Sequence, residues 1–262
     1  MISRNTIRIG QLEVGGPQFT VIAGPCSVES REQFFQTSSF VKSKGAQALR
    51  GGLFKLRTDP STFQGLGVNA YQLAKEVKSE LGLPFISEIT DPRQMSDLDD
   101  VVDAYQVGSR NMHNYSLLKE LGMSNKPVLL KRGLAALFKE WILAAEHIVK
   151  SGNDQIILCE RGIRTFETST RNTLDLNSVA LAKQETHFPV LADPSHGTGM
   201  ASLVTPMALA SAAAGADGLL IEVHPDPSKA LSDGFQSLNF EQFENLMNRL
   251  NLVLPALDRK SF

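Results

Sequence analysis

A short apolar run gives way to a polar loop in Val190-Leu191-Ala192-Asp193-Pro194-Ser195-His196-Gly197-Thr198-Gly199. Apolar residues followed by Asp-Pro and small residues are typical of the carboxyl end of a buried strand that carries a polar site. The next apolar run, Gly218-Leu219-Leu220-Ile221-Glu222-Val223-His224, contains the carboxylate of Glu222, and Asp233 follows in the loop after it. Two consecutive strand ends are therefore predicted to direct metal-ligand side chains to one place.

Similar apolar runs alternate with helical patterns along the rest of the chain. The other strand-like runs are Phe19–Ala23, Ala46–Arg50, Pro84–Glu88, Ala104–Gly108, Pro127–Lys131 and Gln155–Cys159. Helical patterns include Asn69–Leu81, Leu134–Lys150, Leu174–Lys183 and Asn239–Leu252. Eight such units in about 250 residues predict an α/β fold, a (β/α)8 TIM barrel with its active site at the carboxyl ends of the strands. An open doubly wound sheet is the alternative, but charged residues at nearly every strand end favour a closed barrel, in which all the ends converge.

The N-terminal residues and the composition limit the domain organisation and the partners. Thr6–Gly10 and Leu12–Val14 alternate apolar and polar residues, which predicts that residues 1–17 form a hairpin extension of one catalytic barrel spanning 1–262. Lys and Arg number 26 against 28 Asp and Glu, a net charge of −2, which argues against a globally basic nucleic-acid or membrane binder. No apolar run approaches the ~18 residues of a membrane span, and no signal peptide is visible. We therefore expect a cytoplasmic protein without nucleic-acid or membrane partners.

Basic residues gather at or just after the predicted strand ends, although the net charge of the chain is negative. They are Arg50, Lys55, Arg57, Arg110, Lys131, Arg161 and Arg164. Arginine offers a bidentate fork and lysine a point charge, both suited to phosphate and carboxylate groups. The sequence therefore predicts a polyanionic substrate.

Four side chains at these strand ends have the character of metal ligands. Cys26 follows the first predicted strand, and it joins His196, Glu222 and Asp233 in a set of one sulfur, one nitrogen and two oxygen donors. Such a set suits Zn, Fe, Co or Mn better than Ca or Mg. A lone cysteine after a strand is more often a packing residue, and we interpret Cys159, which has no such partners, in that way.

Several strings of the sequence, taken together and in order, resemble one enzyme family. They are Ala23–Ser27, Gly108–Met112, Leu129–Gly133, Leu158–Glu167, Thr170–Asp175, Asp193–Gly197, Glu222–Pro225 and Ala230–Gly234. The family is 3-deoxy-D-arabino-heptulosonate 7-phosphate (DAHP) synthase, of the compact microbial type related to 3-deoxy-D-manno-octulosonate 8-phosphate (KDO8P) synthase. The resemblance, from about Phe19 to Leu238, implies a metal-dependent aldol-type condensation of phosphoenolpyruvate with erythrose 4-phosphate, the entry step of the shikimate pathway to aromatic amino acids.

The resemblance also implies a role for individual residues. It places the ligands of a divalent metal ion (Mn, Fe, Co or Zn) on Cys26, His196, Glu222 and Asp233. It places the phosphoenolpyruvate contacts on Arg50, Lys55, Arg110, Lys131 and Arg161, and the aldose phosphate contacts on Arg57 and Thr58. As catalytic residues, Lys55 and Lys131 would stabilise or protonate the developing oxyanion, and His196 or Asp233 would steer the attacking water, with the individual proton transfers left open between them.

Two other functions compete with this interpretation. KDO8P synthase uses the same phosphoenolpyruvate chemistry on arabinose 5-phosphate, and it carries Lys-Ala-Asn-Arg-Ser-Ser where DAHP synthases carry Lys-Pro-Arg-Thr. This chain has Lys55-Leu56-Arg57-Thr58, which keeps the shorter spacing and lacks only the proline. The other competitor, a non-catalytic phosphate- or metal-binding barrel, would be expected to lack some of the ligands or cations, and none is missing.

The resemblance and the chain length suggest the assembly and its regulation. Members of this family commonly form homodimers or homotetramers, so we expect a homo-oligomer. Few residues follow Leu254-Pro255, and only the hairpin precedes Phe19. We therefore expect no appended regulatory domain and no feedback control by aromatic amino acids.

Overall fold

The computed structural model describes residues 4–261, in which eight parallel strands close into a barrel. The N-terminal hairpin consists of β1 (Ile7–Ile9) and β2 (Leu12–Val14). The barrel strands are β3 (Thr20–Gly24), β4 (Ala48–Arg50), β5 (Phe85–Ile89), β6 (Ala104–Val107), β7 (Val128–Lys131), β8 (Ile156–Glu160), β9 (Val190–Ala192) and β10 (Gly218–Glu222). Each strand pairs with the next along the chain, and β10 closes on β3 with Gly218 beside Thr20 and Glu222 beside Gly24. The predicted TIM barrel with an N-terminal hairpin is confirmed, and the open-sheet alternative is wrong.

Nine α-helices, counted among residues 4–261, surround the barrel or follow its strand ends. They are α1 (Arg31–Ser43), α2 (Tyr71–Leu81), α3 (Met95–Leu98), α4 (Tyr115–Gly122), α5 (Phe138–Lys150), α6 (Leu176–Glu185), α7 (Pro194–Thr198), α8 (Ala201–Ala213) and α9 (Phe240–Val253). The hydroxyl of Ser30 accepts a hydrogen bond from the backbone N–H of Gln33 and so caps the start of α1.

The core has two layers, as expected for strands that are covered on both faces. Helices pack on the outside of the barrel, where Trp141, Phe85 and Phe243 are fully buried. The barrel interior is filled by the alternate residues Ile22, Ala48, Ile86, Ala104, Leu129, Ile157, Cys159, Leu191 and Leu220. The apolar side chains of the hairpin, Ile7, Ile9, Leu12 and Val14, belong to this inner cluster. The hairpin therefore closes one end of the barrel, and the polar site is left to the other.

Among residues 4–261, no helix has both the length and the apolar character needed to cross a membrane.

Candidate active site

A cavity of about 250 Å³ opens at the carboxyl ends of the barrel strands. The basic residues that line it are Arg50, Lys55, Arg57, Arg110, Lys131, Arg161 and Arg171. His196, Asp233 and Thr58 also line it. The structure thus brings together most of the basic residues that the sequence singled out. The structure differs from the prediction at two arginines of one loop. Arg164 was predicted to belong to the site but is exposed and lies outside the cavity lining, and Arg171 was not predicted but lines the cavity.

Three metal-type donors meet at one side of this cavity. Cys26 lies just after β3, Glu222 ends β10, and Asp233 lies in the loop that follows. One donor atom from each lies within 4.8 Å of the others. The approach of β3 to β4 depends on Gly24, because a Cβ there would lie 2.1 Å from the carbonyl oxygen of Arg50. That close approach places the Cys26 loop beside the other two ligands.

His196 borders the same group from the short helix α7. Its Nε2 lies 3.5 Å from Oε1 of Glu222 and 4.0 Å from Oδ2 of Asp233. Burial lowers the pKa of the imidazole below its usual 6.5, which favours the neutral, ligand form at neutral pH. The structure therefore brings together the four residues of the predicted ligand set, with the donor atoms of three of them within 4.8 Å of one another and His196 beside them.

The chemistry of these donors fits a divalent cation. The Cys26 thiol lies 3.1 Å from the Ser232 hydroxyl and donates to Oδ2 of Asp233 at 3.5 Å. Burial and then the Glu222 carboxylate raise the pKa of this thiol to about 12 and so favour its protonated form, although Lys55 and Arg50 act in the opposite direction. A bound cation reverses that preference, and one thiolate, one imidazole and two carboxylates match Zn, Fe, Co or Mn.

The Glu222 carboxylate is held in place by its neighbours. Arg50 donates from Nη1 to Oε1 of Glu222 at 3.0 Å and to the carbonyl oxygen of Pro25 at 2.7 Å. Gln236 donates from Nε2 to the other oxygen of Glu222, Oε2, at 2.6 Å. Burial disfavours the carboxylate, but His196 and Arg50 outweigh burial and lower the pKa of Glu222 to about 2. Glu222 is thus ionised and oriented before any ligand arrives.

Asp193 links the cationic side of the cavity to the metal side. Its Oδ2 lies 2.7 Å from Nζ of Lys131 and 2.7 Å from Nδ1 of His196, and the side chain is fully buried. Burial favours the protonated form, but His196 and Lys131 outweigh it and hold the pKa of Asp193 well below its usual range. The contact with Nδ1 leaves Nε2 of His196 free to face the metal-type donors. Sequence reasoning missed this role because Asp193-Pro194 was interpreted as a strand terminator.

Arg161 is a buried cation of the cavity that residues 4–261 of the protein do not neutralise. Its guanidinium is almost fully buried, yet no carboxylate of the described residues lies within 4.0 Å of it. It donates to the carbonyl oxygen of Gly162 at 3.2 Å, and burial lowers the pKa of the guanidinium. A buried charge is costly unless it is paired, so an anionic ligand is the expected partner of Arg161.

The remaining cations divide between the rim and the interior. Lys55 is buried, and its Nζ donates to the carbonyl oxygen of Cys26 at 3.1 Å. Arg110 is exposed and donates to the hydroxyl of Thr58 at 3.3 Å, so it lies beside the loop of Arg57. Glu88 also lines the cavity, and it forms no ion pair with Arg50 or Lys55 in residues 4–261.

The other histidines and Cys159 lie apart from the donor set. Nε2 of His224 lies 3.4 Å from Oε2 of Glu29, whose Oε1 accepts a hydrogen bond from the backbone N–H of Leu231 at 2.9 Å. These contacts connect the Cys26 loop to the Asp233 loop without making His224 a ligand. Cys159 is buried in the barrel interior, as predicted for a packing residue.

A closed β/α barrel with a cationic cavity and a metal-type donor set at the carboxyl ends of its strands has the architecture of a TIM-barrel enzyme. Its family follows from comparison with known proteins. The chain belongs to the DAHP synthetase I family, whose model matches residues 2–254.

Individual relatives agree with this assignment. Phospho-2-dehydro-3-deoxyheptonate aldolase of Thermotoga maritima is 46% identical over 254 residues, covering 97% of this chain and 75% of the relative. The crystal structure of that DAHP synthase superposes with a TM-score of 0.96 at 45% identity, over 99% of this chain and 76% of the other. A truncated form of the Thermotoga maritima enzyme has a TM-score of 0.92 at 43% identity, over 99% and 95% of the two chains. A 2-dehydro-3-deoxyphosphooctonate aldolase of Desulfatibacillum aliphaticivorans is 32% identical, over 96% of this chain and 98% of the relative.

Proposed function

We propose that this protein condenses phosphoenolpyruvate with erythrose 4-phosphate to give DAHP and phosphate, in a reaction that depends on a divalent metal. The observation that carries the proposal is that Arg161, buried and without a carboxylate partner among residues 4–261, lines a cavity that His196 and Asp233 also line. These two residues belong to the donor set with Cys26 and Glu222. Membership of the DAHP synthetase I family supports the same reaction.

The cations divide between the two substrates in this proposal. Arg50, Lys55, Lys131 and Arg161, with Arg110 at the rim, bind phosphoenolpyruvate, and Arg57 with Thr58 binds the phosphate of the aldose. These charges hold C3 of phosphoenolpyruvate against the aldehyde carbon, which removes the entropic cost of bringing the two carbons together. Cys26, His196, Glu222 and Asp233 would hold the divalent metal, which would supply Lewis-acid polarisation of the aldehyde oxygen.

The remaining chemistry falls to buried side chains. C3 forms a bond to the aldehyde carbon, water adds at C2, and cleavage of the C2–O bond releases phosphate. Lys131, anchored by Asp193 at 2.7 Å, and Lys55 carry positive charge next to the developing oxyanion and are its proton donors. His196 or Asp233 orients the water.

Arabinose 5-phosphate is the second candidate for the aldehyde. The 32% identity to a 2-dehydro-3-deoxyphosphooctonate aldolase favours it, because that relative matches over nearly its whole length. The higher identity to the heptonate enzyme and the Lys55-Leu56-Arg57-Thr58 spacing favour erythrose 4-phosphate.

The test is the rate of phosphoenolpyruvate loss with erythrose 4-phosphate or arabinose 5-phosphate, before chelation, after it, and after adding Mn²⁺ back. We expect faster turnover with the four-carbon aldehyde, loss on chelation and recovery with metal. Faster turnover with arabinose 5-phosphate would overturn the aldehyde assignment, and full activity in a sample shown to be metal-free would overturn the metal assignment. A homodimer or homotetramer is part of the same proposal, and light scattering of the purified protein measures it.

A further inference from the structure

Arg171 is a cavity cation that the assignment above leaves without a role. It lies in the loop that runs from β8 to α6, and its side chain is 33% exposed and lines the cavity. Its Nη1 lies 3.6 Å from Oδ1 of Asp233, and Nη1 of Arg57 lies 3.8 Å from the same oxygen. The guanidinium groups of Arg57 and Arg171 therefore flank one small region at the side of the cavity where the aldose phosphate is placed.

The side chain of Arg171 is held in position by Gln236 and Phe235. Its Nη1 donates to Oε1 of Gln236 at 2.7 Å, and its guanidinium lies 5.8 Å from the ring centroid of Phe235. Gln236 is fully buried, and its Nε2 donates to Oε2 of Glu222. An ionised carboxylate can only accept, so Glu222 fixes which end of the amide faces it and leaves Oε1 of Gln236 for Arg171. The arginine is thus oriented before a ligand binds, which lowers the entropic cost of binding.

The charges of Arg57 and Arg171 are poorly neutralised by the protein. Their carboxylate contacts among residues 4–261 are the long ones to Asp233, a residue that the proposed function gives to the metal. Arg132 provides the contrast, because its Nη1 donates to Glu160 at 3.0 Å and to Asp175 at 2.9 Å, as expected of a structural arginine. A hydroxyl group lies next to Arg57, since Nη1 of Arg57 donates a hydrogen bond to the Ser232 hydroxyl at 3.1 Å.

We infer that Arg171 forms, together with Arg57, a two-guanidinium clamp for the phosphate of the aldose phosphate, with Gln236 as the residue that positions Arg171. Two arginine forks can satisfy several oxygens of one phosphate, and each charge-assisted contact is strong. The inference rests on the proposed function in so far as the cavity accepts a phosphorylated aldehyde.

The test compares a phosphorylated aldehyde with the same aldehyde lacking the phosphate. With saturating phosphoenolpyruvate, Arg171→Met should lower kcat/KM for erythrose 4-phosphate by about 10- to 100-fold, because one charge-assisted contact is lost. The kcat/KM for erythrose and the KM for phosphoenolpyruvate should stay within about twofold of the parent values, since neither involves the clamp. Arg164→Met is the matched control, an exposed arginine of the same loop outside the cavity lining, and it should change none of these values.

A role of Arg171 through Asp233 and the metal predicts a different result. In that case Arg171→Met would weaken metal binding, measured by calorimetric titration, and would lower kcat/KM equally for erythrose and erythrose 4-phosphate. Either of those outcomes overturns the clamp.

Gln236 is tested through its coupling to Arg171. Gln236→Met should lose part of the preference for erythrose 4-phosphate over erythrose, and adding it to Arg171→Met should cause no further loss of that preference, because both changes remove one interaction. Additive losses would show that Gln236 does not act through Arg171.

Failure of the proposed reaction is distinguishable from failure of the clamp. Calorimetric binding of erythrose 4-phosphate to the parent protein and to Arg171→Met needs no turnover, and the clamp predicts about 10- to 100-fold weaker binding by the variant. If the parent protein prefers arabinose 5-phosphate, the erythrose 4-phosphate assignment is wrong, and the same binding comparison made with arabinose 5-phosphate still tests the clamp. Equal binding of the aldose phosphate by both proteins overturns the clamp in either case.

Discussion

Asp193 shows how one buried carboxylate can couple two parts of a site. It contacts Lys131, which we assign to phosphoenolpyruvate, and His196, which we assign to the metal, through the same oxygen. Its other oxygen accepts the backbone N–H of His196 at 2.9 Å and so caps α7. The orientation of His196 and the position of the Lys131 ammonium therefore depend on one side chain.

Asp193→Asn is expected to weaken both metal and phosphoenolpyruvate binding. Asparagine keeps the helix cap but removes the negative charge between two basic groups, and loss of a partner that orients a metal ligand typically costs about 10- to 100-fold in metal affinity. Calorimetric titrations of metal and of phosphoenolpyruvate measure the two losses separately. A loss confined to phosphoenolpyruvate would show that Asp193 serves Lys131 alone.

The two cysteines offer a matched pair of substitutions. Cys26→Ala should lower metal affinity by more than about 100-fold, since a ligand is lost, and abolish turnover while the folded circular dichroism spectrum is retained. Cys159→Ala removes a sulfur of similar burial from the barrel interior, and we expect unchanged metal binding and a loss of stability of about 1 kcal/mol. Metal content is measured after gel filtration, and stability is measured by urea unfolding; together the two measurements distinguish the variants. Equal metal content in both variants would contradict the assignment of Cys26.

The loop between β8 and α6 is the element that carries Arg161 and Arg171. Successive side chains of a strand point to opposite sides, so Arg161 faces the cavity while Glu160 faces the helices. There Glu160 accepts from Nη1 of Arg132 at 3.0 Å and from the backbone N–H of Gly162 at 2.7 Å. Asp175 caps α6 and accepts from the same arginine at 2.9 Å. A buried charge network thus ties the start and the end of the loop to the barrel wall.

Arg132→Met should therefore destabilise the protein and disturb this loop. Glu160 is fully buried, and removing the cation from a buried ion pair typically costs about 3–5 kcal/mol because the remaining charge is uncompensated. Urea unfolding measures the loss, and adding Glu160→Gln should restore part of it. If the single variant lost less than about 1 kcal/mol, the network would not be holding the loop.

The loop after β4 carries the other phosphate-binding residues that we propose. Lys55 donates its backbone N–H to the carbonyl oxygen of Gln64 at 2.9 Å, and Nε of Arg57 donates to the hydroxyl of Thr62 at 3.3 Å. Leu56 lies between them, 36% exposed, and its backbone N–H donates no hydrogen bond within residues 4–261. A proline at Leu56 would remove no donor that the loop uses.

Leu56→Pro is expected to strengthen the binding of the aldose phosphate. Proline reduces the conformational freedom of the unbound loop, an effect of about 0.4–1 kcal/mol, or about two- to fivefold in affinity. Calorimetric titration with erythrose 4-phosphate measures the gain, and phosphoenolpyruvate affinity should stay nearly constant. A fall in aldose phosphate affinity would mean that the backbone at Leu56 is incompatible with proline.

At the scale of the whole molecule, the metal-type donors come from both ends of the barrel sequence. Cys26 follows the first barrel strand, Glu222 ends the last barrel strand, and Asp233 lies in the loop after it. The three donors lie close together because β10 pairs with β3. A ligand set of this kind exists only while the barrel is closed. Metal binding should therefore stabilise the whole fold.

Metal added at about 100 times its Kd should stabilise the protein by about 2.7 kcal/mol through mass action. For a chain of this size, that corresponds to a rise in Tm of about 5–11 °C. Thermal unfolding followed by circular dichroism, with and without Mn²⁺ or Zn²⁺, measures the shift. Cys26→Ala should show little of it, and an equal shift in that variant would place the metal elsewhere.

Local pattern in the sequence was sufficient for the architecture and for the general position of the site. Buried parallel strands are continuous apolar runs, so the eight strands could be found to within two residues, as for Ala46–Arg50 against β4 at Ala48–Arg50. Because the carboxyl ends of all strands converge in a closed barrel, the polar residues that follow them had to meet. That rule predicted from the sequence that Cys26, His196, Glu222 and Asp233 lie together.

The partner of each buried charge was decided by the tertiary structure alone. Arg50 and Glu222 are 172 residues apart in sequence yet hydrogen-bonded, and no local pattern pairs them. Arg164 and Arg171 occupy one loop, and the sequence reasoning selected only Arg164. The backbone turns Arg164 to solvent and Arg171 into the cavity, where Arg171 donates a hydrogen bond to Gln236. Periodicity determines which face of a strand a residue occupies, whereas the direction of a loop side chain depends on long-range packing and on the charges that it meets there.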